Sequence, residues 1–159
     1  MHREMRRKER QLSEAEAYSL LETCEYGVLS SVCADGSPYG VPISYALEKK
    51  SLYMHSTNKG GLKLENIALS PKACFTVIGK TLVLPEIFST LYQSAICFGT
   101  CCIVESEEEK RFGLELLLRK YSANYIQEGM GAIARSLNKV HVLRFDIEFI
   151  TGKGRKPTS

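Results

Sequence analysis

The chain has 159 residues, 44% hydrophobic and 25% charged, a balance suited to one globular domain with its own core. Its net charge of +3 sits at the ends: five Arg or Lys against two Glu in residues 1–10, then Lys153, Arg155 and Lys156 after a mildly acidic body. That distribution excludes the continuous basic face of a duplex-binding protein, and no apolar run approaches the ~20 residues of a membrane span. The charged start "MHREMRRKER" has no apolar secretion core, so the expectation is a cytoplasmic protein with neither nucleic-acid nor membrane partners. Residues 1–159 read as a single domain, with basic arms at 1–12 and 151–159 that lie in solvent or on a partner subunit.

In chain order, Ser13-Glu14-Ala15-Glu16 is a capping box, predicting a helix to about Cys24 that buries Ala17, Leu20 and Leu21. "YGVLSSVC" (26–33) and "YGVPISYAL" (39–47) read as a hairpin turning at Asp35-Gly36, with Pro42 placing the second strand at an edge or a bulge. "SLYMHS" (51–56) is a third strand, and residues 61–69 are a helix closed by Pro71. "KACFTVIG" (72–79) and "YQSAICFGTCCIVE" (92–105) are strands; the apolar stretch 80–90, broken by Pro85, reads as an ordered loop. Ser106–Glu109 is a second capping box, opening a helix to Tyr121 whose Leu114, Leu117, Leu118 and Tyr121 share one face. A short helix near 129–138 and a strand at 141–150 follow. Hairpin-linked strands that outnumber helices predict a small antiparallel barrel. The strand at 92–105 is apolar on both faces, which implies a second subunit against one of them.

The six cysteines lie mostly in β-branched or aromatic runs without a CxxC pair, and read as core thiols, with no metal site. The stretch "SLYMHSTNKGGLKLENI" (51–67) carries the most chemistry. A glycine-containing loop feeding a helix start offers free N–H groups and a positive dipole end, and Ser56, Thr57, Lys59 and Lys63 add donors and charge. An anion site and an ordinary strand-to-helix connection both fit. His55, at the strand end, reads either as a hydrogen-bonded structural residue or as a catalytic one. Tyr92, Gln93 and Ser94 open an apolar strand and need polar partners or a ligand.

"YGVLSSVCADGSPYGVPISYAL", "LYMHSTNKGGLKLENI", "CFTVIG", "YQSAICFGTCCIVESEEEKR" and "ITGKGR" follow in one order. Together they resemble the flavin-binding split-barrel family related to pyridoxamine 5′-phosphate oxidase, and within it most nearly the nitroimidazole-resistance proteins. The resemblance implies a mainly β fold with inserted helices: a six-stranded antiparallel split barrel, homodimeric, with flavin at the subunit interface. It places the flavin ring along Gly40, Val41, Pro42, Ile43, Ser44 and Tyr45, bordered by His55 and Ser56. It places the flavin phosphate at Thr57, Gly61, Leu62 and Lys63. Tyr92, Gln93 and Ser94 would come from the other subunit, with Lys153 and Arg155 approaching the same site.

Related loops have one residue fewer between histidine and lysine, so Lys59 or the second glycine reads as an insertion. The basic side chains of the oxidase proper are replaced by Gly40-Val41-Pro42-Ile43-Ser44, which argues against a phosphorylated substrate. The implied cofactor is FMN, with FAD as the alternative. The implied activity is reduction of a small electron-poor molecule such as a nitroimidazole or other nitroaromatic, with reduced nicotinamide or another donor and His55 as the catalytic group. The rivals are a flavin carrier without a dedicated substrate and a module binding another planar ligand such as haem.

Overall fold

In the computed structural model, which describes residues 4–155, the first regular element is a 3-10 turn at Lys8–Arg10. The two-residue strand β1 (Gln11–Leu12) follows it. Helix α1 (Glu14–Thr23) starts at the predicted capping box: the Ser13 side chain accepts from the Glu16 amide, and the Glu16 carboxylate accepts from the Ser13 amide at 2.8 Å. Strands β2 (Tyr26–Val32) and β3 (Pro38–Ser44) form the expected hairpin. Its turn is held by the Ser37 amide donating to the Asp35 carboxylate at 2.9 Å.

Beyond it come β4 (Ala46–Glu48), β5 (Ser51–Thr57), helix α2 (Leu62–Leu69), β6 (Lys72–Ile78) and β7 (Leu82–Leu84). The chain continues through β8 (Ser89–Ile103), helices α3 (Glu107–Tyr121) and α4 (Ile126–Ser136), and ends in β9 (Val140–Arg155).

All strand pairs are antiparallel, in the order β3-β2-β6-β8-β9-β5-β4, with β1 against the end of β9 and β7 against the start of β8. This mainly β architecture agrees with the expected class, but the ladder differs from a closed six-stranded barrel. Nine strands are present among the described residues, and no pairing joins the end strands β3 and β4. Those two ends are nevertheless consecutive in the chain, separated by Tyr45 alone.

Tyr45 is fully buried and makes that crossing rigid. Its hydroxyl donates to the Leu21 carbonyl at 2.7 Å, its ring meets Phe75 edge-on at 4.8 Å, and the Lys120 ammonium lies 3.8 Å over its face. Its amide donates to the Tyr121 hydroxyl at 2.9 Å. The predicted single strand 39–47 therefore breaks here: a side chain that must enter the core turns the backbone from one end of the sheet to the other.

The main core lies on the inner face, where Leu29, Leu52, Met54, Phe75, Leu143 and Phe145 pack with α1 and α2. A second cluster lies on the outer face of β4, β5 and the start of β9, where Tyr53 and Val142 are covered by Leu114 and Leu117 of α3 and Ile133 of α4. β5 is thus covered on both faces. No helix among the described residues is long and apolar enough to cross a membrane.

Three further expectations change. The stretch 80–90 is not a loop: Leu82–Leu84 pairs with Ser89–Leu91 around a 3-10 turn, with Phe88 at a left-handed φ of 49°. The second capping box is half formed. Ser106 accepts from the Glu109 amide, but the Glu109 carboxylate is taken by Arg144 at 2.6 Å and by the Tyr53 hydroxyl. The basic ends are not loose within the described residues, since Gln11 pairs with Lys153 and β9 runs on to Arg155; Lys156 and His2 lie outside those residues. Within one chain β8 leaves Phe98 44% exposed, on a strand for which a second subunit is expected against one face.

Candidate functional site

The loop between β5 and α2 exposes backbone at two glycines. Gly60 and Gly61 adopt φ of 87° and 128°, conformations that side chains rarely take, and a Cβ at either would meet nothing within 4 Å. The space around them is open. The Gly61 carbonyl accepts from the amides of Leu64 and Glu65, starting α2, while the amides of Leu62 and Lys63 have no acceptor among the described residues. The Asn58 side chain donates to the Asn138 carbonyl at 2.8 Å, and the Lys59 amide donates to the Thr57 hydroxyl at 3.2 Å, so the loop is fastened before the glycines.

Lys63 follows on the first turn. Its ammonium is half-buried, has no carboxylate partner among the described residues, and is held below its usual pKa by that burial. Free amides at a helix start and an ammonium are the kinds of donor that phosphates bind.

His55 is paired with Val142 of β9 and shares the outer face with Tyr53, two residues earlier. The covering helices stop short of it, leaving a cleft of about 560 Å³. His55, Ser44 and Tyr26 line one side, Leu117, Leu118 and Tyr121 of α3 another. Gly129, Ala132 and Ser136 bring in α4. Although the ring is reachable from solvent, the surrounding protein removes enough water to lower the His55 pKa, and the Lys63 ammonium adds to this. His55 is therefore neutral near pH 7, with one ring nitrogen donating and one accepting.

Strand β3 is at the sheet edge, where backbone groups on its outer side stay unpaired. Gly40, Pro42 and Ser44 are the more exposed, outward positions; Val41 and Ile43 pack inward and, like Tyr45, offer a ligand backbone rather than side chain. Ser56 pairs with His141, beside the loop.

Tyr92, Gln93 and Ser94 lie directly across from Arg155, Gly154 and Lys153, so the predicted polar residues of the two strands form one group. Tyr92, Gln93 and Arg155 line a second cavity of about 500 Å³ with Lys80 and Leu82 of the β7 hairpin. Within one chain this group sits at the far end of β9 from His55. The structure joins Ser44 to His55, and Tyr92 to Arg155, but not the two halves to each other.

The α3–α4 wall of the cleft and Lys80 were not expected from the sequence. A usable signal was present in Gly129, Gly131 and Ala132, small residues on a helix that needs close approach. A Cβ at Gly129 would lie 2.1 Å from Leu118 Cδ1.

A family model described as Pyridoxamine 5′-phosphate oxidase matches residues 13–154. The chain belongs to the pyridoxamine 5′-phosphate oxidase family. Several solved structures share its fold. A candidate 5-nitroimidazole antibiotic resistance protein from Bacteroides thetaiotaomicron superposes with a TM-score of 0.75 at 23% identity, over 91% of this chain and 86% of that one. An FAD and heme binding protein from Mycobacterium smegmatis gives 0.80 at 22% identity, over 93% and 74%. A conserved hypothetical protein from Mycobacterium tuberculosis gives 0.81 at 18% identity, over 98% and 96%. No curated protein matches the sequence. In this chain β3, "PYGVPIS", carries no cationic side chain.

Proposed function

We propose that this protein binds a flavin, FMN in the first instance, and uses it to reduce small electron-poor molecules such as nitroaromatics. The observation that carries the reading is the cradle at Gly61–Lys63: free amides, open space around two glycines and an unpaired half-buried ammonium, next to a cleft that holds His55 and Ser44. These residues fit a flavin phosphate at one end and the ring at the other. Two structural relatives, from Mesorhizobium loti and Mycobacterium smegmatis, are FAD-binding proteins, which supports a flavin and leaves FAD as the alternative.

The bound flavin would supply the redox chemistry. The chain's own residues have simpler tasks. Lys63 and the amides of Leu62 and Lys63 neutralise the phosphate, and Thr57 adds a hydroxyl. The unpaired edge of β3 and the Ser44 hydroxyl read the polar rim of the ring. Neutral His55 orients the substrate by donating or accepting a hydrogen bond, and passes a proton when protonated. Tyr92, Gln93, Ser94, Lys153 and Arg155 complete the site from a second copy of the chain, because one copy holds them at the far end of β9.

The test is the visible absorbance of the purified protein, followed by identification of the released cofactor. Lys63→Ala is expected to weaken flavin binding by about 1.5–3 kcal/mol, the worth of a charge-assisted hydrogen bond. His55→Ala is expected to keep the flavin and lose turnover of a nitroaromatic with reduced nicotinamide as donor. A preparation that is colourless and takes up no added FMN or FAD would sink the reading. A yellow protein inert toward nitro compounds would leave a flavin carrier.

A further inference from the structure

We infer that the α3–α4 cleft is the substrate-selecting pocket and that it takes a flat, uncharged aromatic molecule while rejecting anionic relatives of the same shape. The inference rests on the flavin-site reading only for the identity of the pocket's neighbour; the selection follows from the wall itself. The cleft, at about 560 Å³, lies within the roughly 300–1,000 Å³ typical of small-molecule sites. Among the described residues no Asp, Glu, Lys or Arg side chain lines it. Leu114, Leu117 and Leu118 of α3 and Ala132 and Ile133 of α4 supply its apolar lining. Polarity is confined to neutral groups, the hydroxyls of Tyr26, Ser44, Tyr121, Ser122 and Ser136 and the His55 ring. These can satisfy one or two hydrogen-bonding substituents.

An anionic substituent brought to this apolar wall would lose its water without gaining a cation. Lys63 does not line the cleft, so it does not serve that purpose there. Gly129 packs against Leu118, itself part of the wall, so any side chain there would press on it. Ala132 is the position from which the pocket's size and charge can be changed with least risk to the fold, since it is exposed on α4 and outside the buried cluster.

The experiment is isothermal titration calorimetry on the purified full chain with two probes sharing one ring, 4-nitrobenzyl alcohol and 4-nitrobenzoate. The alcohol is expected to bind at least about tenfold more tightly than the benzoate, reflecting the unmatched charge. Ala132→Leu, which fills the cleft, is expected to weaken the alcohol by roughly tenfold. Ala132→Lys is expected to bring the benzoate level with the alcohol or ahead of it. Flavin content, read from visible absorbance, should be the same in all three proteins.

Equal or tighter binding of the benzoate by the unmodified protein would overturn the proposal, as would affinities that neither substitution moves. A protein that takes no flavin yet discriminates the probes as described would refute the flavin reading and leave the pocket standing. A yellow protein that does not discriminate would do the reverse.

Discussion

His55 is pressed toward its neutral form by two causes of unequal size, first the protein around it and then the Lys63 ammonium. Its folded pKa lies below the usual 6.5, so the unfolded chain binds the proton more tightly. Its contribution to stability is whole above about 6.5 and declines as pH falls through the folded value. Lys63→Ala removes only the second cause, so the His55 midpoint should rise toward 6.5 without reaching it. Proton NMR of the ring would read this directly, and a midpoint that stays put or falls would refute the coupling. Tyr121 acts differently, through one hydroxyl that accepts from the Tyr45 amide and donates to the carbonyl of Tyr45 or Glu25. Tyr121→Phe keeps the ring and strands those backbone groups, a loss of about 1–3 kcal/mol in urea denaturation. It should also loosen the junction between β3 and β4, on which Ser44 depends for its place.

At the scale of elements, the same substitution has opposite signs in two places. A Cβ at Gly99, where β8 slips register against β9, would lie 2.0 Å from the Asp146 carbonyl oxygen. Backbone cannot retreat there, so Gly99→Ala is expected to cost about 3 kcal/mol. At Gly131 of α4 the nearest atom is the flexible end of Arg135 at 3.2 Å. Gly131→Ala should gain about 0.5–1 kcal/mol from helix propensity and a less flexible unfolded chain. Thermal melts of the two variants test both signs. The elements legible in the sequence are those whose signals are local: the Ser13 cap, the Asp35-Gly36 hairpin, the Leu face of α3. The end of β9 was hidden because its inward positions are Gly152 and Gly154, where a Cβ would come within 3.0 Å of Leu12 Cβ or the Tyr92 carbonyl. Glycines at those positions erase the apolar alternation that marks a strand. Residues 82–84 were hidden because only their pairing with 89–91 makes them a strand. The β5–α2 loop was legible as glycines and lysines ahead of a helix; the cleft was not, since α3 and α4 meet at His55 only through tertiary packing.

For the molecule as a whole, the outer face divides in two. α3 and α4 cover it over β4, β5 and the start of β9, whereas over β3, β2, β6 and β8 it carries no helix cluster. On that bare part Cys74, Phe98 and Phe149 stand side by side on neighbouring strands, with the two phenylalanine rings stacked at 6.4 Å. Ile78 at 65% and Val32 at 50% exposure extend the apolar surface beyond them. Apolar surface of this kind is what an interface uses, and under the proposed function a second copy seated here would bring Tyr92 and Arg155 to the Ser44–His55 side of the site. Phe98→Asp places a charge at the middle of this surface without touching either half of the site. Analytical ultracentrifugation should find the unmodified protein dimeric and the variant monomeric, with the far-ultraviolet circular dichroism unchanged. If the site is shared between copies, the variant should also lose most of its flavin, although Lys63, His55 and Ser44 are intact. A variant that stays dimeric refutes this face as the interface; a monomeric variant that keeps its flavin refutes the sharing of the site.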